Sequence, residues 1–290
     1  MNVSKPHRIL YYHAIAKKPP DIYPLSISYS HFERQIRLLT NLGYREFPLS
    51  VAVAESDCLR VKSFSVTFDD GFACNYAPLL SIMNKYKISP TLFIVSKCIN
   101  NKFLAWNHKL IILRNSVAKP SLEGLMGELL PGANLLNFFD MMPMSQKDDL
   151  TDTLWQQLYP ISQEEYLFNH KPFLSSEQLA ELVAKGAEIG SHSHSHPDFS
   201  RLSISEALAE VNASFFSFDV LHLPYERLFA FPYGRSGDAE TISELSNKLG
   251  LLATFGVNYR RGDNLGTNQH FQRQNMEGSF WKSALKFWLK

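Results

Sequence analysis

Residues 64–71 read FSVTFDDG, a run of β-branched and aromatic residues that leads directly into two aspartates and a glycine. This composition predicts a buried strand over 64–68, with Asp69 and Asp70 at its carboxyl end. Adjacent carboxylates repel each other, and a bound cation removes that cost by holding one while the other stays free as a base. Asp-Gly is also a common turn pair, an interpretation that requires no function.

Short apolar runs alternate with amphipathic stretches through most of the chain, which is the pattern of repeated βα units. The other predicted strands cover residues 8–12, 91–95, 187–191, 227–231 and 252–257. The predicted helices cover residues 30–42, 76–86, 176–185, 203–218 and 238–249. Ser30 and Glu33 resemble a capping box at the start of the first helix. Because polar clusters follow several strands, the pattern favours an α/β barrel with its site on that face.

Residues 100–172 interrupt this rhythm, with polar helices and no clear strand. They are predicted to form an insertion, as a lid or a cap. Within it, Trp106 and His108 either line the site or anchor the insertion, and we favour anchoring. The whole chain, residues 1–290, is expected to form one domain.

The charge balance is nearly neutral, with 29 Lys+Arg against 28 Asp+Glu. A dedicated nucleic-acid-binding protein usually carries a basic domain or stripe, so that class is disfavoured. No apolar run approaches the roughly 18 residues needed for a membrane-spanning segment. No signal peptide is visible, and three scattered cysteines argue against a disulfide framework, so a cytoplasmic location is expected. Export by a route that the sequence does not reveal stays open.

A second polar cluster follows the strand predicted at 187–191, where residues 192–197 read HSHSHP. If this segment forms a helical turn, His192 and His196 lie on one side and can bind one metal ion. If it is extended, His194 shares their face. The alternatives without function are a polar surface loop and a tract that binds metal adventitiously. The third cluster, Phe231-Pro232-Tyr233-Gly234, is a turn after a predicted strand and is weak by itself.

Taken together, these clusters resemble the motifs of the polysaccharide deacetylases of carbohydrate esterase family four, which contain the NodB homology domain. The match comprises ILYYH at 9–13, TFDDG at 67–71, HSxxHP at 192–197 and FPYG at 231–234. The resemblance implies a distorted (β/α) barrel, here of about seven strands with a helical insertion. It also implies a divalent metal, most commonly zinc, with cobalt or nickel as alternatives.

Carried onto this chain, the resemblance implies that Asp70, His192 and His196 are the metal ligands and that Asp69 is the general base. Two imidazoles and one carboxylate leave coordination positions open for water and a carbonyl oxygen. The backbone N–H of Tyr233, in the turn that begins at Pro232, would stabilise the oxyanion. The implied substrate is an N-acetylated sugar oligomer or polymer, from which acetate is released.

The chain departs from the family pattern at two places. An arginine that orients the base usually stands two residues before the proline, where this chain has Ala230. Arg273 or Arg235 is a candidate for the missing charge, and Arg273 is also a candidate substrate-binding residue.

The family's last motif, Leu-x-His, which supplies the general acid, is not visible either. His13 and His270 are therefore both candidates for that role, and His13 is equally consistent with a histidine that caps a strand. A catalytically silent carbohydrate-binding protein and a C–N hydrolase acting on a non-sugar amide or formyl group remain alternative hypotheses.

Overall fold

The strands form one parallel sheet that is nearly closed into a barrel. The computed structural model describes residues 7–17, 22–23, 26–55, 61–257 and 269–277. The strands are β1 (Arg8–Tyr12), β2 (Arg45–Glu46), β3 (Ser63–Phe68), β4 (Thr91–Ile94), β5 (Glu188–Ser191), β6 (Leu228–Ala230), β7 (Ala253–Gly256), β8 (His270–Gln272) and β9 (Gln274–Asn275). Their order is β8-β7-β6-β5-β4-β3-β1-β9, and β2 pairs with β3 at one side. The predicted distorted (β/α) barrel is confirmed.

The barrel is closed by a segment that the sequence pattern does not reveal as a strand. Strand β8 pairs with β7, and β9 pairs with β1, although only Arg273 separates β8 from β9. Residues 270–275 therefore bridge the first and last strands of the repeated units. Their sequence, HFQRQN, lacks the apolar run by which the other strands were predicted.

Eleven α-helices occur in the described part of the chain. They are α1 (Tyr29–Asn41), α2 (Leu49–Ala54), α3 (Tyr76–Tyr86), α4 (Trp106–Ser116), α5 (Lys119–Leu129), α6 (Phe138–Met141), α7 (Lys147–Leu158), α8 (Gln163–His170), α9 (Ser176–Ala184), α10 (Ile204–Val220) and α11 (Ala239–Leu249). The predicted capping box of α1 is wrong. Ser28 is the N-cap and accepts a hydrogen bond from the His31 amide, while Glu33 pairs with Lys85 on α3. None of these helices is long and apolar enough to cross a membrane.

The insertion has its own apolar core. Residues 100–172, all of which the structure describes, contain helices α4 to α8 and short 3-10 turns but no strand, as predicted. Trp106, Phe138 and Trp155 are fully buried in this core, which also contains Phe72 and Val95 at the barrel edge. The main core lies between the sheet and the surrounding helices. The insertion thus packs on the barrel edge where β3 and β4 end.

Candidate active site

The register of the parallel strands brings the predicted polar clusters to one edge. Tyr12 at the end of β1 pairs with Phe68 at the end of β3, so the next residues, His13 and Asp69, emerge side by side. The end of β4 pairs with Ser191, the last residue of β5, and His192 follows it. This edge is the carboxyl end of the sheet, where α/β barrels carry their sites.

Asp70, His192 and His196 form a buried cluster whose ligand-type atoms all lie within 4.8 Å of one another. Asp70 Oδ1 lies 3.5 Å from His192 Nε2 and 3.3 Å from His196 Nε2. This oxygen is buried and has no hydrogen-bond partner among the described residues. Such a carboxylate oxygen, facing two imidazole nitrogens, fits a divalent metal in both donor chemistry and geometry.

The outer nitrogens of both imidazoles are held by hydrogen bonds. His192 Nδ1 donates to the Ala230 carbonyl at 2.7 Å, and His196 Nδ1 shares a hydrogen bond of 3.0 Å with the Tyr233 hydroxyl. This arrangement leaves each Nε2 facing Asp70, as in metal sites whose histidines are oriented by outer hydrogen bonds. Burial lowers the pKa of His192 to about 4, so its imidazole is neutral near pH 7.

The HSHSHP segment is neither a helical turn nor an extended strand. Ser193 and His196 both have left-handed backbone conformations, with φ of +71° and +61°. The Ser193 hydroxyl accepts a hydrogen bond from the His196 amide at 2.9 Å and closes a tight turn. His192 and His196 therefore meet, while His194 turns away and bonds Ser96. Strained, non-glycine residues of this kind are concentrated at functional sites.

Asp69 is held by the guanidinium of Arg273. Arg273 Nη1 and Nη2 donate to Asp69 Oδ1 and Oδ2 at 2.6 and 2.8 Å, and both side chains are buried. Burial alone raises the pKa of Asp69, but the charges of Arg273 and His192 and the bonds from Arg273 outweigh it and lower the pKa. The carboxylate is therefore ionised and oriented. Arg235, the other predicted candidate for this charge, instead pairs with Asp198.

His13 is held by a carboxylate that the sequence analysis missed. Its Nδ1 lies 3.0 Å from Glu277 Oε2 and 2.7 Å from the Tyr23 hydroxyl. Burial alone lowers the pKa of His13, but the hydrogen bond and charge of Glu277, with the charges of Asp70 and Asp69, outweigh it and raise the pKa. No spacing signal links Glu277 or Tyr23 to His13, since both come from segments without a recognisable motif.

A cavity of about 380 Å³ lies at the carboxyl edge of the sheet, and several of the side chains described above line it. His13, Asp69, Asp70 and the two ligand-type histidines form one part of its wall. The insertion supplies an apolar part, from Trp106, Leu110, Ile111, Met126, Leu135, Phe138 and Phe139. Trp106 also anchors the insertion, because its indole N–H donates to the His196 carbonyl at 2.8 Å. Trp106 therefore lines the cavity and also anchors the insertion.

Other predicted site residues lie at the cavity or away from it. Tyr233 lines the cavity and has a left-handed backbone conformation, with φ of +58°. Pro232 is buried at the start of this turn. His270 does not line the cavity, because it lies at the amino end of β8, where its Nδ1 bonds Thr254. Arg273 binds Asp69 and is not among the cavity-lining residues.

Comparisons with known proteins find a matching family model and several similar solved structures. The family model described as polysaccharide deacetylase matches residues 56–253. The chain is similar to Streptococcus pyogenes deacetylase PplD, solved in complex with acetate, with 17% identity, 96% of each chain covered and a TM-score of 0.59. It is also similar to IcaB from Ammonifex degensii, with 15% identity, 98% of this chain and 97% of that chain covered, and a TM-score of 0.60.

A third similar structure is a de-N-acetylase from Aggregatibacter actinomycetemcomitans, with 16% identity, 97% of this chain and 99% of that chain covered, and a TM-score of 0.60. At these identities the similarity shows a shared fold. No curated protein matches the chain significantly.

Proposed function

Because the chain belongs to the polysaccharide deacetylase family, whose members are hydrolases of carbon–nitrogen bonds, we propose that it removes the N-acetyl group from an amino sugar in an oligo- or polysaccharide. One observation carries this proposal. An oriented carboxylate (Asp69) and a carboxylate-paired imidazole (His13) line the same cavity as the ligand group Asp70, His192 and His196. Amide hydrolysis requires one group that accepts a proton and one that donates a proton at such a centre.

Asp70, His192 and His196 would hold a divalent metal, and zinc suits a site of two imidazoles and one carboxylate. When bound, the metal supplies Lewis-acid chemistry, polarising the amide carbonyl and acidifying water. The family is generally metal-dependent, which supports this part of the proposal.

Asp69 is the general base. Its carboxylate is ionised and fixed by the two hydrogen bonds from Arg273, so it accepts a proton from the attacking water. The water oxygen then forms a bond to the acetamide carbonyl carbon, and negative charge develops on the carbonyl oxygen. The backbone N–H of Tyr233 stabilises that charge, and one such donor contributes about 3 kcal/mol.

His13 is the general acid. Glu277 and Tyr23 hold its Nδ1, so Nε2 is the atom that donates a proton. Protonation of the amide nitrogen allows the carbon–nitrogen bond to break, which releases acetate and the sugar amine. The raised pKa of His13 keeps the imidazole protonated at a pH where an ordinary histidine is losing its proton.

Acetate release from N-acetylglucosamine oligomers by the zinc-loaded protein tests this proposal. We expect Asp69→Asn and His13→Gln each to lower kcat by about 100-fold or more, as for removal of a general base or acid. His270→Gln is the matched control, because it alters a half-buried histidine that does not line the cavity, and it should retain activity. A protein that binds zinc but releases acetate from no oligomer, and formate or acyl groups only from non-sugar amides, contradicts the proposed substrate.

A further inference from the structure

His108 is a buried histidine that the proposed reaction does not use. It belongs to α4 of the insertion, has no exposed surface and is not among the side chains that line the cavity. Its ring lies between aromatic neighbours, with centroids 5.5 Å from both Phe72 and Phe173 and 6.1 Å from His196. A phenylalanine at this position would satisfy the packing, so the imidazole itself requires an explanation.

Neither ring nitrogen of His108 has a hydrogen-bond partner among the described residues. Burying an imidazole without partners is unfavourable, and each such group in a folded protein requires a reason. Its Nε2 lies 3.8 Å from Asp70 Oδ2, while Asp70 Oδ1 faces the other two imidazoles. The Asp70 carboxylate therefore has one oxygen toward the ligand histidines and one toward the insertion.

We propose that His108 is a positioning residue of the metal site, which donates an Nε2–H hydrogen bond to Asp70 Oδ2 and thereby directs Oδ1 toward the metal. The separation of 3.8 Å is longer than a hydrogen bond, and a carboxylate rotation that moves Oδ2 by less than about 1 Å closes it. This inference rests on the proposed metal site but not on the identity of the substrate.

The geometry favours this role over direct ligation. In the described chain, the group whose ligand atoms lie within 4.8 Å of one another contains Asp70, His192 and His196 but not His108. The arrangement instead repeats what is seen at the other two ligands, where Ala230 and Tyr233 hold the outer nitrogens. Each of the three ligands then has an outer partner that fixes its orientation.

The inference also gives the insertion a chemical role. Helix α4 contributes two contacts to the barrel's metal site, one from Trp106 to the His196 carbonyl and one from His108 to Asp70. Both residues lie in the first turn of α4. The position of this helix therefore determines how well the site is organised for metal.

Zinc affinity, measured by competition with a chelating dye in the absence of substrate, tests this inference. We expect His108→Phe to weaken zinc binding about 10- to 100-fold, the range found when outer partners of metal ligands are removed. His108→Gln offers an amide N–H toward Asp70 and should recover most of the affinity. Ile112→Val is the control, because it alters a buried apolar residue of the same helix without touching the site, and it should leave zinc affinity unchanged.

Two further readouts separate positioning from packing and from ligation. The metal-free His108→Phe protein should still unfold in one cooperative thermal transition, which shows that its lower zinc affinity does not come from loss of the fold. The visible spectrum of the cobalt-loaded His108→Gln protein should match that of the wild type, which indicates an unchanged coordination number.

Unchanged zinc affinity in His108→Phe overturns the inference. So does a His108→Gln protein that is as defective as His108→Phe and whose cobalt spectrum shows a lost nitrogen ligand. If His108→Phe does not fold, His108→Leu is measured in its place. The two failures are distinguishable, because zinc affinity is measured without substrate. A wild-type protein that binds zinc but releases acetate from no oligomer contradicts the proposed function and leaves this inference in place.

Discussion

Arg273 and Asp69 are 204 residues apart in the chain, yet two nearly parallel hydrogen bonds of 2.6 and 2.8 Å join them in the buried site. This ion pair provides the charge that position 230, an alanine here, does not carry. In this chain the guanidinium beside Asp69 therefore comes from Arg273, rather than from an arginine at position 230 as in the usual family motif. Alanine at position 230 is thus compatible with an oriented Asp69 carboxylate.

Replacing Arg273 by lysine should lower kcat strongly while leaving the metal site in place. Lysine keeps the positive charge but loses the planar pair of donors that fixes both Asp69 oxygens. We expect a decrease in kcat of about 10- to 100-fold with a much smaller change in KM, measured by acetate release. Arg235→Lys is the control, because Arg235 pairs with Asp198 rather than Asp69. Wild-type turnover in Arg273→Lys would show that Asp69 needs no such orientation.

Replacing Glu277 by glutamine should move the high-pH limb of the activity profile to lower pH. The Glu277 carboxylate raises the pKa of His13, so its neutralisation lowers that pKa and the acid form is lost at lower pH. Tyr23→Phe, which removes a hydrogen bond but no charge, should move this limb less. The measurement is kcat/KM as a function of pH. A limb that stays in place in Glu277→Gln excludes His13 as the group that titrates there.

Zinc should stabilise the folded protein through Asp70. A ligand present at 100 times its Kd raises the free energy of unfolding by about 2.7 kcal/mol, so thermal unfolding should shift upward with added zinc. Asp70→Asn should abolish this shift, because the buried Oδ1 that faces both imidazoles is replaced by a weaker donor. Removing metal with a chelator should abolish acetate release by the wild type, and zinc, cobalt or nickel should restore it. An identical zinc-dependent shift in Asp70→Asn would exclude Asp70 as a ligand.

Gly234→Ala should destabilise the turn after β6. Gly234 has φ of +66°, and an added Cβ would lie 2.0 Å from Val257 Cγ2 and 2.9 Å from the Val257 amide nitrogen. We expect a loss of about 2–4 kcal/mol in the free energy of unfolding, measured with urea. Gly250→Ala is the matched control, since Gly250 has φ of +60° with no atom within 4 Å of the added Cβ. Equal losses at both glycines would mean that the contact with Val257 relaxes without cost.

The free energy of unfolding should decrease as the pH falls from about 6.5 to 4, because His7 is buried. Burial lowers the pKa of His7 from 6.5 to about 4, so in this window the unfolded chain binds a proton that the folded protein does not. At about 1.4 kcal/mol per pKa unit, the loss is at most about 3.5 kcal/mol. His7→Gln keeps a partner for Ser63 or Ser65 on β3 and should flatten this part of the pH profile. A profile unchanged by the substitution assigns the acid sensitivity to other groups.

The sequence predicts the parts of the fold that are encoded locally. The strands that precede His13, Asp69 and His192 are short and largely buried, and each could be identified together with the polar residue at its end. Because parallel strands end at one edge, the convergence of these residues followed from the barrel itself. The conformation of the HSHSHP segment could not be predicted from the spacing of its histidines. Two of its residues have left-handed backbone conformations, and the turn is closed by a hydrogen bond to a side chain, which sequence spacing does not encode.

The partners of the site residues were much less predictable. Glu277 and Tyr23 reach His13 only through the closure of the barrel and the path of the chain after β1, and neither lies in a motif. Arg273 was one of two candidates for the missing charge, and only the pairing of β8 and β9 selects it over Arg235. The orphaned nitrogens of His108 are likewise a property of the packed structure.

The short segment that closes the barrel has a consequence for how activity arises during synthesis. Arg273 and Glu277, the partners of Asp69 and His13, lie within five residues of each other around β9, after every other strand of the ring. A chain folded through β7 already contains Asp70, His192 and His196 but neither Arg273 nor Glu277. The proposed reaction therefore requires β9 to dock against β1 after the strands of the repeated units have formed.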